Sequence, residues 1–426
     1  MTPWKKYNLS DSPVQILDGD RGTNYPKKHE FFENGFCLFL NAKNVLSHRF
    51  DFSETMFISV EKDKKLRSGK LIKHDLVLTT RGTVGNVAYF GDNINFNHMR
   101  INSGMVILRV NQELILPRYF YYLFISPIIQ NQIKSYVSGS AQPQLPIRDM
   151  SLFEFDLPPL PEQRRIAEIL GSLDDKIELN LEMNKTLEQM AMLLYKRWFV
   201  DFEFPDSEGK PYKSNGGEMV QSELGMVPKD WELKKLGDMY QTTSGGTPSR
   251  KKPEYYTNGI YYWIKSKELN NTFIIDTEEK INEQGLKNSS AKLIPSYTVL
   301  IALYGATVGE MGITSNSSTC NQAVCAIIEN EKYPFSFIFL YLRLNKEYIL
   351  NNAVGSAQQN ISQEMLKNLE VLKPSDEILS SFKEIINPIF YQIEKNIKEN
   401  QTLSEIRDTL LPKLISGEVR VRGVEL

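Results

Sequence analysis

Apolar residues recur in steps of three, four or their sums over one long stretch: Ile166, Ile169, Leu170, Leu173, Ile177, Leu181, Leu187, Met190 and Leu194. That spacing is the stripe of an amphipathic helix. It returns 216 residues later, one for one, as Phe382, Ile385, Ile386, Ile389, Ile393, Ile397, Leu403, Ile406 and Leu410. Asn184 and Asn400 stand on the stripe itself, where a polar residue fixes coiled-coil register at some cost in stability; an Asn at a solvated edge is the plainer alternative. Gly171 and Pro388 interrupt the two copies near the same place. The sequence therefore predicts a short helix, a kink, and long helices over residues 172–199 and 388–415, each roughly 42 Å at 1.5 Å per residue. Neither can hide its stripe alone. Leu173, Ile177, Leu181, Asn184 and Leu187 are expected to pack against Ile389, Ile393, Ile397, Asn400 and Leu403, most directly in an antiparallel pair; a parallel pair, with the connecting residues running back roughly 42 Å, is feasible for that length of chain but less direct.

The rest of the chain has another texture, and it is also repeated. Gly22-Thr23, Lys27-Lys28, Glu30, Phe31-Phe32 and Asn34-Gly35 recur at an offset of 224 as Gly246-Thr247, Lys251-Lys252, Glu254, Tyr255-Tyr256 and Asn258-Gly259, and Thr83-Val84-Gly85 recurs as Thr307-Val308-Gly309. Gly139 to Gln142 returns as Gly355 to Gln358, and Trp4 as Trp231. Short apolar runs such as Leu76 to Thr79 and Val106 to Val110, punctuated by Gly and Asn turns, read as strands. Tyr119 to Ile133 and Phe335 to Ile349 read as one helix in each copy. The expected architecture is α+β: a first globule at 1–157, a helical spacer at 158–200, an exposed, flexible linker at 201–228, a second globule at 229–374 and a second helical spacer at 375–426.

Charge changes the picture only locally. The whole chain carries a net charge of −2, so no global basic field announces a nucleic-acid partner. The first globule has 19 basic and 15 acidic residues and the second 16 and 15, while the helices and linker are acidic. Arg21, Lys27 and Lys28, and again Arg250, Lys251 and Lys252, lie in Gly/Thr/Ser loops ahead of paired aromatics, an arrangement suited to phosphates, though a solvated charge run would look the same. With Arg81, Thr83, Thr307, Gln142 and Gln358 they form the candidate DNA-contact set. If the two copies bind two different sequences, residues identical in both cannot tell them apart, and any base reading is then expected in the divergent segments 44–75, 92–102, 268–290 and 311–320.

Catalytic signatures are not found: there is no phosphate-loop, dinucleotide, zinc-protease or nucleophile-elbow motif. Pro205-Asp206 with Glu208-Gly209-Lys210 imitates a nuclease acid-acid-lysine set, but its members share one loop. Asp156-Leu157-Pro158-Pro159 only faintly resembles an adenine-methyltransferase loop, and two prolines before a helix are a start signal. His29, His48, His74 and His98 all lie in the first copy and are expected at the surface or satisfied. Three cysteines without metal spacing suggest a reducing compartment and no zinc. The longest apolar stretch, Tyr119 to Ile129, is broken by Pro127 and falls short of the roughly 20 residues a spanning helix needs. With no secretory signal expected, the chain reads as cytoplasmic.

Leu160-Pro161-Glu162-Gln163-Arg164-Arg165-Ile166, the Asn180-x-x-x-Asn184 pair, Tyr195-Lys196-Arg197-Trp198-Phe199, the Gly216-Gly217-Glu218-Met219 linker and Asn321-Gln322-Ala323 give the chain, over essentially its whole length, a pattern similar to the specificity subunits of type I restriction-modification systems. The resemblance implies a non-catalytic reader of double-stranded DNA with two target-recognition domains, each similar to the small recognition domain of adenine-N6 methyltransferases and each binding half of a bipartite site. It further implies that the helices are an antiparallel spacer, worth roughly 12 base pairs at 3.4 Å rise. They would dock two methylation subunits that use S-adenosylmethionine, with motor-nuclease restriction subunits joining to cut. No cofactor is expected in this chain. The rival reading is a coiled-coil adaptor holding two protein-binding domains without DNA.

Overall fold

The structure is a computed structural model describing residues 4–139, 142–353 and 360–421. They form two compact units, Met1–Lys176 with Thr402–Leu426, and Ile177–Gln401. In the first, a four-stranded antiparallel sheet runs in the order Val14–Asp18, Met105–Val110, Leu76–Thr79, Val87–Tyr89. Leu76–Thr79 is buried at every position, because both sheet faces are covered and successive side chains alternate between them. Leu76 and Leu78 meet Tyr119, Phe120 and Leu123 of the helix Pro117–Ile125. Val77 faces Leu38, Leu40, Met99 and Ile101, from a smaller sheet of Phe57–Ile58, Cys37–Leu40 and Met99–Ile101 whose last two strands are parallel.

The second unit repeats this plan. Gln241–Ser244, Val324–Ile328, Val299–Ala302 and Met311–Thr314 follow the same order, with Phe273–Ile274 added at the edge, and Tyr261–Ile264 pairs in parallel with Ser318–Cys320. Val299 and Ile301 share a core with Phe335, Phe337 and Phe339; Leu300 and Ala302 face Ile264 and Cys320.

The long helices are uninterrupted, Leu160–Phe199 and Asp376–Ile415, so the expected break near Gly171 and Pro388 does not occur. Gly171 is instead a point of close approach: a Cβ there would lie 2.7 Å from the Arg118 guanidinium carbon, and Arg118 donates to Gly171 O at 3.1 Å. Around Pro388, Phe382, Ile386, Phe390 and Ile393 are all buried in the second unit's core. Their packing outweighs the roughly 3 kcal/mol that an interior proline costs. The single helix expected in each globule is two: Pro117–Ile125 and Pro127–Tyr136 in the first, Phe335–Leu344 and Lys346–Asn351 in the second. In the first globule Pro127 takes the N-terminal position of a new helix, where its missing N–H costs nothing.

Within each unit the long helices run antiparallel. In the first, Arg407 bonds Asp174 at 2.8 Å while Ile166 and Leu170 share a core with Leu411, Leu414 and Ile415. In the second, Asn180 Nδ2 donates to Asn400 Oδ1, and Asn396 Nδ2 to Asn184 Oδ1, both at 2.8 Å. These two bonds exchange under the 216-residue repeat, which makes the four asparagines a locally twofold set. The stripe is narrower than predicted. Leu181, placed on the seam by periodicity, is 39% exposed, since one partner helix covers only part of a wide apolar face.

The segment 201–228 is not a flexible linker. It carries the hairpin Met219–Ser222 with Gly225–Pro228, and Phe204 stacks between Tyr212 and Trp231, with ring centroids 4.5 and 5.1 Å away. Its aromatic residues bury themselves despite the acidic composition. Asp206, the would-be nuclease acid, accepts backbone N–H bonds from Glu208 and Lys210 at 2.9 Å and shapes a turn.

Candidate nucleic-acid interface

At one end of the first unit's larger sheet, loops are stitched into one surface. Strand Val14–Asp18 runs out through Gly19, where a Cβ would meet Asn102 O at 2.2 Å, so only glycine passes. Asn102 N bonds Leu40 O at 3.1 Å, and Asn102 Oδ1 accepts Gly104 N–H at 2.9 Å, closing a turn. Gly104 O accepts from Thr80 N at 2.8 Å, and Thr80 O from Leu145 N at 2.9 Å. The second unit makes the same bonds. Asn321 N reaches Ile264 O at 2.9 Å, Ala323 N reaches Asn321 Oδ1 at 3.2 Å, and both Leu303 N to Ala323 O and Ile361 N to Leu303 O measure 2.8 Å. Gly245 takes the role of Gly19, its absent Cβ 2.1 Å from Cys320 O.

This frame is shared, but its contents differ. Gly82 and Gly305, at φ +75° and +90°, have open space where a side chain would stand, and left-handed backbone there favours glycine. Just before them the first unit has Arg81 and the second Tyr304; inside the Asn turns, the first has Ser103 where the second has Gln322. The first unit also inserts Asp20-Arg21 between glycines that are adjacent in the second. Asp20 accepts from the backbone of Arg67 at 2.7 Å and of Gly22 at 2.8 Å, bonds that hold its carboxyl below the usual range.

The candidate residues separate into available and engaged. Lys27, Lys28, Thr83, Gln142 and Lys251 are exposed, and Arg81 and Thr307 partly so. Arg81 pairs through its backbone with Gln144, while its guanidinium has no hydrogen-bonded partner among the described residues. Arg21 ion-pairs with Asp18 at 3.0 Å and reaches Ser103 O at 3.4 Å. Arg250 is engaged: it grips Glu279 through two bonds of 2.6 and 2.8 Å and lies 4.4 Å over Tyr256 and 4.8 Å over Trp263. It braces the loop, and the Glu279 carboxyl is held down to about 2. Lys252 donates to Tyr255 OH at 3.0 Å. Gln358 lies outside the described residues.

Two of the divergent windows need correction. Met311–Thr314 and Ser318–Cys320 are buried strands throughout, as is Met99–Ile101, and a buried strand cannot reach a base edge. Exposed or partly exposed positions remain in 44–75, 92–98 and 268–290, and at Asn316 and Ser317 in the turn between the two strands of 311–320. Periodicity missed Tyr304, Gln322 and the two Asn turns; the motif Asn321-Gln322-Ala323 was the one available signal. Among the described residues no helix is long and apolar enough to cross a membrane, and no three His, Cys, Asp or Glu side chains stand together as a metal site would require.

Comparison with known proteins agrees with this picture. The family model for the type I restriction modification DNA specificity domain matches residues 1–189 and 228–407. The chain is 29% identical to the type I restriction enzyme HindI specificity subunit of Haemophilus influenzae, over 98% of this chain and 100% of that one. It is 30% identical to the MjaIX specificity subunit of Methanocaldococcus jannaschii, over 82% and 78%. Its fold is similar to the crystal structure of a type I restriction-modification S subunit from M. genitalium, with TM-score 0.59 at 15% identity, covering 97% of this chain and 99% of that one.

Proposed function

Because this chain belongs to the type I restriction-modification DNA specificity family, and is thus a non-catalytic DNA-recognition subunit, we propose that it reads a bipartite target in double-stranded DNA, one globule to each half. Lys27, Lys28 and Lys251 contact phosphates whatever the sequence, and residues that differ between the frames read bases. The observation that carries the reading is the repeat itself: one hydrogen-bonded loop frame is built in both units and furnished with different exposed side chains.

Two methylation subunits, which carry S-adenosylmethionine, and motor-nuclease restriction subunits are the partners in this reading. Leu179, Met183, Met190 and Leu193, exposed by 52, 37, 51 and 66% on one face of the first long helix, support docking of partner helices there, since soluble surfaces rarely leave such residues grouped without use. The cytoplasm, where DNA and reduced thiols coexist, suits its three buried free cysteines. The test is co-production with a methylation subunit followed by sequencing of genomic DNA for methyladenine. A two-part motif that appears only with this chain is the expected result; methylation that is absent, or indifferent to the chain, would refute it.

A further inference from the structure

The two units differ sharply in how many of their cations are free. In the second, the basic residues around the Arg250 loop, apart from the exposed Lys251 and Lys252, are paired with carboxylates: Arg250 with Glu279, Lys265 with Glu278 and Glu279, Lys267 with Glu278, Lys280 with Asp276 and Lys287 with Glu283, at 2.6 to 3.1 Å. Three of them also lie over aromatic rings, Arg250 over Tyr256 and Trp263, Lys265 over Trp263 and Lys280 over Tyr262. The corresponding part of the first unit is the short helix Val60–Lys65 and the turn after it. Here Lys62 bonds Glu30 and Lys70 bonds Asp63, but Lys64, Lys65 and Arg67 are exposed, and their side-chain cations have no ion-pair partner among the described residues.

These three residues are fixed to the candidate interface by their backbone. Asn24 Nδ2 donates to Lys65 O at 3.2 Å, and Asp20 accepts Arg67 N–H at 2.7 Å. Arg100 donates to Ser68 O at 2.7 Å while its Nε grips the buried Asp63 at 2.6 Å. Gly69, at φ +79°, sits where a Cβ would be 3.2 Å from Gly19 Cα. The inserted Asp20-Arg21 thus ties the basic helix to the loop that carries Lys27 and Lys28. The second unit has neither the insertion nor the charge: its equivalent helix, Glu283–Lys287, is a Glu-Lys pair with a glycine in its middle.

We propose that Lys64, Lys65 and Arg67 form a phosphate-binding platform, confined to the first unit, that together with Lys27 and Lys28 supplies most of the sequence-independent grip on the DNA duplex, while the second unit contributes mainly discrimination. This rests on the DNA-reading function above and assigns the exposed part of this segment to the backbone of DNA and not to its bases. Free cations displace condensed counterions when they meet phosphate, whereas cations already paired to carboxylates displace few, so the asymmetry should be visible in the salt dependence of binding.

The experiment measures affinity for the methylated motif duplex and for an unrelated duplex, at 50 to 200 mM salt, using the chain in complex with its methylation subunits. The triple variant Lys64→Gln, Lys65→Gln, Arg67→Gln should flatten the slope of log affinity against log salt by about 2.7, at about 0.9 per phosphate contact. It should therefore lose about 40-fold less affinity than the unaltered complex across that salt range, equally on both duplexes and with the methylation motif unchanged. Lys267→Gln, Lys280→Gln, Lys287→Gln in the second unit should change the slope by less than about one. Matching circular dichroism melts exclude misfolding, and Lys64→Arg, Lys65→Arg, Arg67→Lys should restore the slope. An unchanged slope overturns the platform, and so does a relaxed base position in the motif at constant slope. If the unaltered complex binds no DNA at all, the DNA-reading function falls with it, which separates that failure from the failure of the platform.

Discussion

Removing Asn396 should be felt across the helix pair, at its bonded partner Asn184. Both are buried, 2% and 7% exposed, and the Asn396 Nδ2 to Asn184 Oδ1 bond is 2.8 Å. The other contact of the Asn184 amide, Nδ2 to Ile393 O, is a marginal 3.5 Å. Asn396→Ala therefore strands a buried acceptor, at a cost of about 1–3 kcal/mol. For a unit of this size about 2–4 °C of melting temperature is lost per kcal/mol. Asn184→Ala should cost a similar amount. The double variant removes both partners together, so its loss should fall short of the sum by about 0.5–3 kcal/mol. The symmetry-related Asn400→Ala should cost less, because Asn400 is partly exposed. Thermal melts of the four variants, followed by far-ultraviolet circular dichroism, form the cycle. Strict additivity, or equal costs at Asn396 and Asn400, would refute the reasoning that these asparagines form a buried, coupled seam.

Three further outcomes follow from the same geometry. Gly245→Ala places a methyl 2.1 Å from a backbone oxygen; it should destabilise the second unit by about 1–3 kcal/mol or more and blur recognition of its half-site, visible in melts and in the methylation motif. Arg81→Ala should relax one base position in a single half-site, with a discrimination loss of about 1–3 kcal/mol in competition binding; uniform weakening on all duplexes would make Arg81 a phosphate contact. Glu279 lies below its ordinary value of 4.5, at about 2, chiefly through its hydrogen bond from Arg250, with burial opposing and Lys265 assisting. A depressed carboxyl stabilises fully above the unfolded value and loses that contribution as pH falls from about 4.5 towards 2. Arg250→Ala should raise the Glu279 titration midpoint, as read by carboxyl NMR, and an unmoved midpoint would deny the pairing.

Much of this fold is legible in the sequence because repetition supplies two readings of each element. The helical stripes, the short apolar strands around Leu76 and Val106, and the aligned Gly-Thr-Lys-Lys loops all survive in the structure. What misleads is local chemistry overruled by packing. Pro388 and Gly171 look like helix breakers, but Phe382, Ile386 and Phe390 hold one helix and the Arg118 guanidinium occupies the space beside the other. The acidic segment 201–228 looks like solvent-bound chain until Phe204 is found between Tyr212 and Trp231. At the interface, composition counts Arg250 and Arg67 alike. Only the structure shows that one is clasped by Glu279 and the other is held by its backbone with its cation exposed. A carboxylate partner 29 residues away along the chain leaves no periodic signal.

The central claim is that each globule reads its own half of one target. The most direct measurement is competition binding by the complex of this chain with its methylation subunits, using duplexes in which one half of the methylated motif, the other half, or both are scrambled. Scrambling either half alone should cost much of the specific affinity, and substitutions in the frame of one unit should change the response to one half only. If scrambling one half leaves affinity untouched, or if a substitution in either unit alters both halves equally, the division of recognition between the two globules is wrong.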